Sequence, residues 1–430
     1  MKTGVALLGC GTVGAAVAQM LLNEKEHLLR RTGQSLELRR VLVRDIHKRR
    51  DGIPKSLLTA APADIWRDES IHVVVELIGG LEPAQSLIFE ALAAGKRVVT
   101  ANKHLLATHG TKIFQAAARA GSCVGFEASC GGAIPIVMAL TRGLIANDID
   151  RLIGIVNGTC NYILTQMNAG NQTYVQALAG AQAAGFAEAD PAMDVSGMDS
   201  AHKLAVLAAL AFGIDVPAEK IDVTGIDSLQ DTDLRYGREL GYACKLLAIA
   251  EKFQNGISLR VHPAFLPVRH LLANVNGSFN AIDVYGHASG QTIYYGRGAG
   301  GRPTAGAVIA DIVDAATGTA ELLFRHSPLL TRRRKATLLP TRKILCRQYL
   351  RMNALDRPGV MHRITGVLGR NGISLAAVAQ HESRAGDYVP LVVMTHAARD
   401  GAVDRAVAQI DRLACVRGRT ARIRVMDPGA

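Results

Sequence analysis

The chain has 430 residues, 49% of them hydrophobic, and a formal net charge of +12. That length suffices for roughly two to four domains with sizeable cores, and no stretch reaches the roughly 18 uncharged apolar residues of a membrane span. The first residues run into a strand pattern rather than a signal peptide, so no membrane partner and a cytoplasmic location are expected.

Seven cysteines are scattered without C-x-x-C spacing, which indicates neither a disulfide framework nor a thiolate metal site. The positive charge is confined to residues 331–430, which hold 19 Lys+Arg against 7 Asp+Glu. Without interleaved aromatics this does not read as a nucleic-acid face, and Arg332 to Lys335 is expected to be a solvated connector.

In chain order, Gly4 to Leu8 is an apolar strand that breaks at Gly9, Gly11 and Gly14 and continues as a small-residue helix. G-x-G-x-x-G in that context is a dinucleotide-binding turn: Gly9 allows the tight turn, Gly11 lets backbone approach a pyrophosphate, and Gly14 lets helix pack on strand. Strands follow at Leu36 to Asp45, Ile71 to Ile78, Arg97 to Thr100 and Cys123 to Phe126, with a helix at Pro83 to Ala94 and another running to Gly121 between them. This βαβ alternation predicts an α/β chain that opens with a doubly wound parallel sheet of Rossmann type over 1–150. From about Asp150 long helical stretches, Tyr174 to Ala184 and Ala201 to Phe212, mix with strands at Arg151 to Val156 and Ile282 to Tyr285. These predict an α+β substrate domain over 151–302. A glycine-dense loop, Tyr294 to Thr304, leads into one apolar helix, Ala305 to Phe324, which should return to the first domain. Residues 331–346 read as a linker, and 347–427 as a βαββαβ, ferredoxin-like domain.

At the carboxyl edge of the second strand, Arg44 precedes Asp45, with Lys48, Arg49 and Arg50 nearby. An arginine there can hold a 2′-phosphate, so NADP(H) is favoured, while Asp45 leaves NAD open. Thr100 to Lys103 emerges at the same edge, where Lys103 can reach both cofactor and substrate. The densest polar cluster is Gly185 to Ala205, with Glu188, Asp190, Asp194, Asp199 and Lys203. Asp199 and Lys203 stand at i and i+4 on one helix face if the helix starts near Gly197. An exposed ion pair is the alternative. An ammonium suits aldehyde reduction because it neutralises the alkoxide formed by hydride addition and donates the proton. Lys203 fits that role, Asp194 can orient it, and Glu188 with Asp199 can hold a substrate ammonium.

With these motifs the chain resembles the homoserine dehydrogenases over essentially its whole length. The resemblance rests on G-x-G-T-V-G at Gly9 to Gly14, T-A-N-K at Thr100 to Lys103, N-G-T-x-N-Y-I-L at Asn157 to Leu164, A-D-P-x-x-D-V-x-G-x-D at Ala189 to Asp199 running on to A-H-K-L, and Tyr295 to Thr304. It implies interconversion of L-aspartate 4-semialdehyde and L-homoserine, on the route to threonine, isoleucine and methionine. It makes Lys203 the proton donor, Lys103 a residue at the cofactor and substrate junction, and Glu188 and Asp199 holders of the amino acid. Thr12, Val13, Arg44, Lys103, Gly185 and Gly300 would contact cofactor. It also implies sodium at Glu127, through one carboxylate oxygen and the carbonyls of Cys130, Gly132 and Ile134, a donor set suited to a hard cation. Cys130, Ala133 and Cys160 depart from the valine, glycine and threonine usual there.

The tail resembles an ACT-type regulatory domain at Asp356 to Val360 and Gly372 to Ser374, which implies threonine as effector. The family implies a homodimer, or a homotetramer in which dimers pair further through the tails. Another semialdehyde dehydrogenase, or a non-catalytic amino-acid sensor on a nucleotide-binding scaffold, is the rival reading; a sensor would not need Lys203 with Asp194 and Asp199.

Overall fold

The computed structural model describes residues 2–170, 172–381 and 386–426, so the expected last boundary, residue 427, lies outside the described residues. The chain forms two compact units built from alternating segments. The first comprises Met1–Gly158, Asp199–Ile221 and Phe279–Ala336; the second comprises Thr159–Met198, Asp222–Ser278 and Thr337–Ala430.

In the first unit, β1 (Lys2–Leu8), β2 (Ser35–Leu42), β3 (Leu58–Thr59), β4 (Ile71–Glu76), β5 (Arg97–Thr100) and β6 (Val124–Gly125) form a parallel sheet in the order β3-β2-β1-β4-β5-β6. This is the dinucleotide-binding order, with its switch point between β1 and β4. β1 and β4 are buried along nearly their whole length, as strands covered on both faces must be. The helix Thr12–Asn23 turns Gly14, Ala16, Val17, Ala18 and Leu21 inward. The late helix Gly301–Thr317 packs on it and on β4, β5 and β6. The single helix expected to Phe324 is instead two. Gly318 takes the left-handed conformation at φ 79° and stops the first, and Thr319–His326 starts anew, as glycine caps do.

The same unit holds an antiparallel three-stranded arrangement of Ile149–Ile155, Phe279–Gly286 and Gly290–Arg297. The helix Met198–Phe212 is buried from Asp199 to Leu210, which explains its apolar residues on every face. The expected connector is not a bare tether. Arg334–Lys335 pairs in parallel with Ile214–Asp215, and the half-buried Arg333 lies 5.0 Å over the Phe114 ring while bonding the Leu329 carbonyl. Arg332, Arg334 and Lys335 are exposed as expected.

In the second unit, the helices Gly158–Asn168, Tyr174–Ala183 and Asp231–Glu239 accompany a long hairpin, Tyr242–Phe253 with Gly256–Pro267. The tail has the expected βαββαβ order: Leu345–Leu355, Val360–Arg370, Leu375–Gln380, Tyr388–Thr395, Asp400–Ile410 and Val416–Val425. Its core gathers Leu350, Met352, Ile364, Leu368, Val393, Val403 and Ile410. The last strand pairs in parallel with the hairpin at Ala264 and Phe265, so the tail is sewn into this unit's sheet. Among the described residues no helix is long and apolar enough to cross a membrane.

A buried ion pair pins the tail's first strand. Asp233 accepts from Arg351 Nε at 2.6 Å and from the Tyr349 hydroxyl at 3.0 Å, and its side chain is only 2% exposed. Removing one partner of such a pair strands a charge and costs about 3–5 kcal/mol. Arg351→Ala is therefore expected to lower the denaturant midpoint by that equivalent, and a midpoint equal to the wild type's would refute the pair's structural role.

Candidate active site

The glycine turn has the geometry its spacing required. Gly9 has φ 101°, and a Cβ there would lie 2.8 Å from the Leu77 carbonyl oxygen; one on Gly14 would lie 2.5 Å from the Gly9 oxygen. Around Gly11, nothing stands within 4 Å of where a Cβ would be, which leaves room for a ligand at the start of Thr12–Asn23. Thr12 is exposed and Val13 half-buried on that first turn. Gly300, at φ 120°, precedes the helix Gly301–Thr317, and Gly301 comes to Thr12. Two helix N-termini thus face one place, where their partial positive charge favours an anion.

At the end of β2, Arg44 is exposed. The Asp45 carboxylate accepts from the backbone of His47 and Lys48 at 2.8 and 3.2 Å, and those bonds hold it below the usual carboxylate range. Asp45 therefore ties its own turn while Arg44 faces solvent. Thr100 behaves differently from an open cofactor contact. It is fully buried, donates to Glu76 Oε2 at 2.6 Å and accepts from Asn102 N. Glu76 also accepts from Ile78 N and Gly79 N, and Asn102 caps the helix Lys103–Arg119 through Leu105 N. This network, which the sequence reading did not single out, fixes the turn that launches Lys103.

The chemical centre is a shared carboxylate. Gly197, at φ 88°, precedes the helix Met198–Phe212, which puts Asp199 and Lys203 on one face. Asp199 Oδ2 accepts from Lys203 Nζ at 2.7 Å and from Asn157 Nδ2 at 2.9 Å, and Oδ1 meets Lys103 Nζ at 3.0 Å. Lys203 also donates to the Val156 carbonyl at 2.7 Å. Lys203 and Asp199 are 11% and 9% exposed, and Lys103 is 37% exposed, so the exposed-pair alternative is excluded. Burial pushes the Asp199 carboxyl up, but the Lys203 and Lys103 ammoniums outweigh it and hold the acid far below its ordinary value. Two cations against one anion leave a net positive centre.

Gly185, Glu188 and Asp194 belong to the other compact unit. Gly185 is exposed at φ 72° and Glu188 is exposed. Asp194 sits on the short helix Ala192–Val195, its carbonyl accepting from the Cys160 thiol at 3.2 Å.

At the expected cation loop, Gly131 and Gly132 take φ 84° and 57°, and Ala133 N bonds the Arg297 carbonyl. The buried Glu127 carboxylate accepts from Val137 N and Met138 N, both at 2.8 Å. Burial outweighs these bonds and raises it to about 7. The Asp311 carboxylate, bonded to Glu127 N, is pushed well above its ordinary value by its own burial and by Glu127. A carboxylate desolvated in this way is a donor that a hard cation would stabilise in its charged form. Among the described residues no group of three or more His, Cys, Asp or Glu is arranged to hold a metal ion.

The chain matches the family model described as homoserine dehydrogenase over residues 135–313, that of homoserine dehydrogenase, NAD binding domain, over 9–127, and that of the ACT domain over 348–413. It is 40% identical to a homoserine dehydrogenase of Pseudomonas aeruginosa, covering 98% of each chain. The crystal structure of a homoserine dehydrogenase from Thiobacillus denitrificans aligns with TM-score 0.92 and 44% identity over 99% of both chains. A hyperthermophilic archaeal homoserine dehydrogenase in complex with NADPH aligns with TM-score 0.62 and 25% identity over 74% of this chain and 98% of that one.

The tight seat of Gly14 is testable by Gly14→Val, which must push the helix start off the strand. Dinucleotide affinity, read by fluorescence titration, is expected to fall at least about tenfold. Unchanged affinity would show that the pyrophosphate is held elsewhere.

Proposed function

The chain belongs to the homoserine dehydrogenase family, NAD(P)-dependent oxidoreductases of the CH–OH group, and from its site we propose how it interconverts L-aspartate 4-semialdehyde and L-homoserine. The observation that carries the reading is the pair of ammoniums on one buried carboxylate. The nicotinamide cofactor supplies the hydride when bound. Lys203, oriented by Asp199 and the Val156 carbonyl, donates the proton to the oxygen that the hydride turns into an alkoxide, and accepts it in reverse. Lys103 adds a second positive charge at the junction of cofactor and substrate, which lowers the energy of the developing anion. Asp199 keeps both ammoniums in place and, with Glu188, supplies negative charge for the substrate's own ammonium, with Asp194 supporting Lys203.

The exposed Arg44, beside a carboxylate turned onto its own backbone, supports NADP(H) as the preferred cofactor and NAD(H) as the weaker one. The glycines 9, 11 and 14, with Thr12, Val13, Gly185 and Gly300, complete the cofactor set in this reading, while the buried Thr100 sets the turn that delivers Lys103. Glu127 with the carbonyls of Cys130, Gly132 and Ile134 would hold sodium, which supplies charge that keeps Glu127 ionised and the loop ordered. The reading divides the chain into 1–150 for cofactor, with the helices after 303 returning to it, 151–302 for substrate, a connector at 331–346, and 347–427 for regulation by threonine. It sets the enzyme in the cytoplasm as a homodimer or homotetramer, on the route to threonine, isoleucine and methionine.

The deciding assay follows NADPH and NADH oxidation with L-aspartate 4-semialdehyde. Turnover is expected with both and faster with NADPH; none with either would overturn the substrate assignment. Lys203→Ala is expected to lower kcat at least about a hundredfold while NADPH affinity holds; near-normal kcat would remove Lys203 from its role. Arg44→Ala is expected to shrink the NADPH to NADH preference, and an unchanged ratio would place the 2′-phosphate elsewhere.

A further inference from the structure

Each of the two lysines has a histidine beside it in the chain: Lys103-His104 and His202-Lys203. The proposed reaction uses neither ring. His104 lies on the first turn of Lys103–Arg119 and His202 lies within Met198–Phe212. Their imidazoles stack, with centroids 4.6 Å apart and ring planes 21° from parallel. His202 is buried and His104 half-buried. Neighbouring side chains on a helix do not share a face, so each lysine reaches Asp199 while its histidine reaches the opposite helix. The stack is therefore a second link between the two helices that Asp199 already joins, each histidine standing one residue from the lysine on its helix.

We infer that His104 and His202 are a positioning pair: their stack fixes how closely the two helices approach, and so the spacing of the Lys103 and Lys203 ammoniums, and it does so only while the rings are neutral. The inference rests on the proposed roles of those lysines. Two rings 4.6 Å apart cannot both carry a proton without repulsion, and even one imidazolium adds a third cation beside Asp199 and its two ammoniums. The groups facing His202 are His104 and Lys103 from one helix, Asp199 on its own, and Glu219 from the segment Ala218–Lys220. Burial, His104 and Lys103 disfavour its proton, and Asp199 and Glu219 favour it; the sum lies below the ordinary histidine value. Such a group binds fewer protons folded than unfolded, so the stability it confers is full above the ordinary value of about 6.5 and is lost as pH falls below it.

The experiment compares the full-length wild type with His104→Phe, which keeps an aromatic partner that cannot charge, and His104→Ala, which removes the partner. The readouts are kcat/KM against pH from 5 to 9, NADPH affinity by fluorescence, and the thermal midpoint at pH 5.5 and 8. His104→Ala is expected to lose about tenfold in kcat/KM at pH 8, mainly in kcat, with NADPH affinity kept, since small misplacements of reacting groups are costly. His104→Phe is expected to recover most of that rate, to move the acid limb of the profile at least about half a unit lower, and to lose less of its thermal midpoint on acidification than the wild type. Superimposable profiles and midpoints for all three proteins would overturn the inference, as would a Phe variant no better than Ala. A wild type without turnover would instead overturn the reaction assignment, which separates the two failures.

Discussion

The site depends on one buried carboxylate. Asp199 is kept ionised in a place where burial alone would protonate it, because two ammoniums and the Asn157 amide surround it. Removing a charge from water is costly unless a partner compensates it, and here compensation is mutual: the lysines hold the acid and the acid holds the lysines. The arrangement leaves a surplus positive charge, on which the proposed proton transfer rests. Everything nearby serves that arrangement. Gly197 starts the helix that carries Asp199 and Lys203 on one face, and Thr100, Glu76 and Asn102 lock the turn that delivers Lys103 from β5.

What the sequence made legible follows from what its residues announce locally. The glycine turn, the parallel strands and the βαββαβ tail each carry their pattern in consecutive residues, and the i, i+4 spacing of Asp199 and Lys203 placed them together before any fold was known. The spacing did not tell whether that pair was exposed or buried, because the answer comes from strands and helices distant in the chain. Glu76, Asp311 and the two stacked histidines escaped for the same reason: a carboxylate at a strand end, an aspartate on a late helix and single histidines have no local signature. Gly318 was a readable signal, a glycine inside a long apolar run, and its left-handed cap divides the helix there. In sequence Arg333 is indistinguishable from its solvated basic neighbours, and only its position over Phe114 sets it apart.

The second unit shows a different economy. Its tail has a complete core of its own, yet its last strand pairs with the hairpin Gly256–Pro267 and its first is pinned through Tyr349 and Arg351 to Asp233. The helix bearing Asp233 would feel any shift of that strand, because a rigid, desolvated charge pair transmits displacement rather than absorbing it. The ACT domain is therefore bonded here rather than tethered.

The return of Gly301–Thr317 to the first helix and to β4, β5 and β6 has a consequence for biogenesis. The apolar flank of that sheet stays uncovered until some 300 residues have left the ribosome. Domains usually mature as they emerge, but this nucleotide-binding layer must wait for a helix encoded far beyond its own last strand. Nascent chains stalled midway would display that naked flank, so the chain offers chaperones a long window of exposed sheet during its own synthesis.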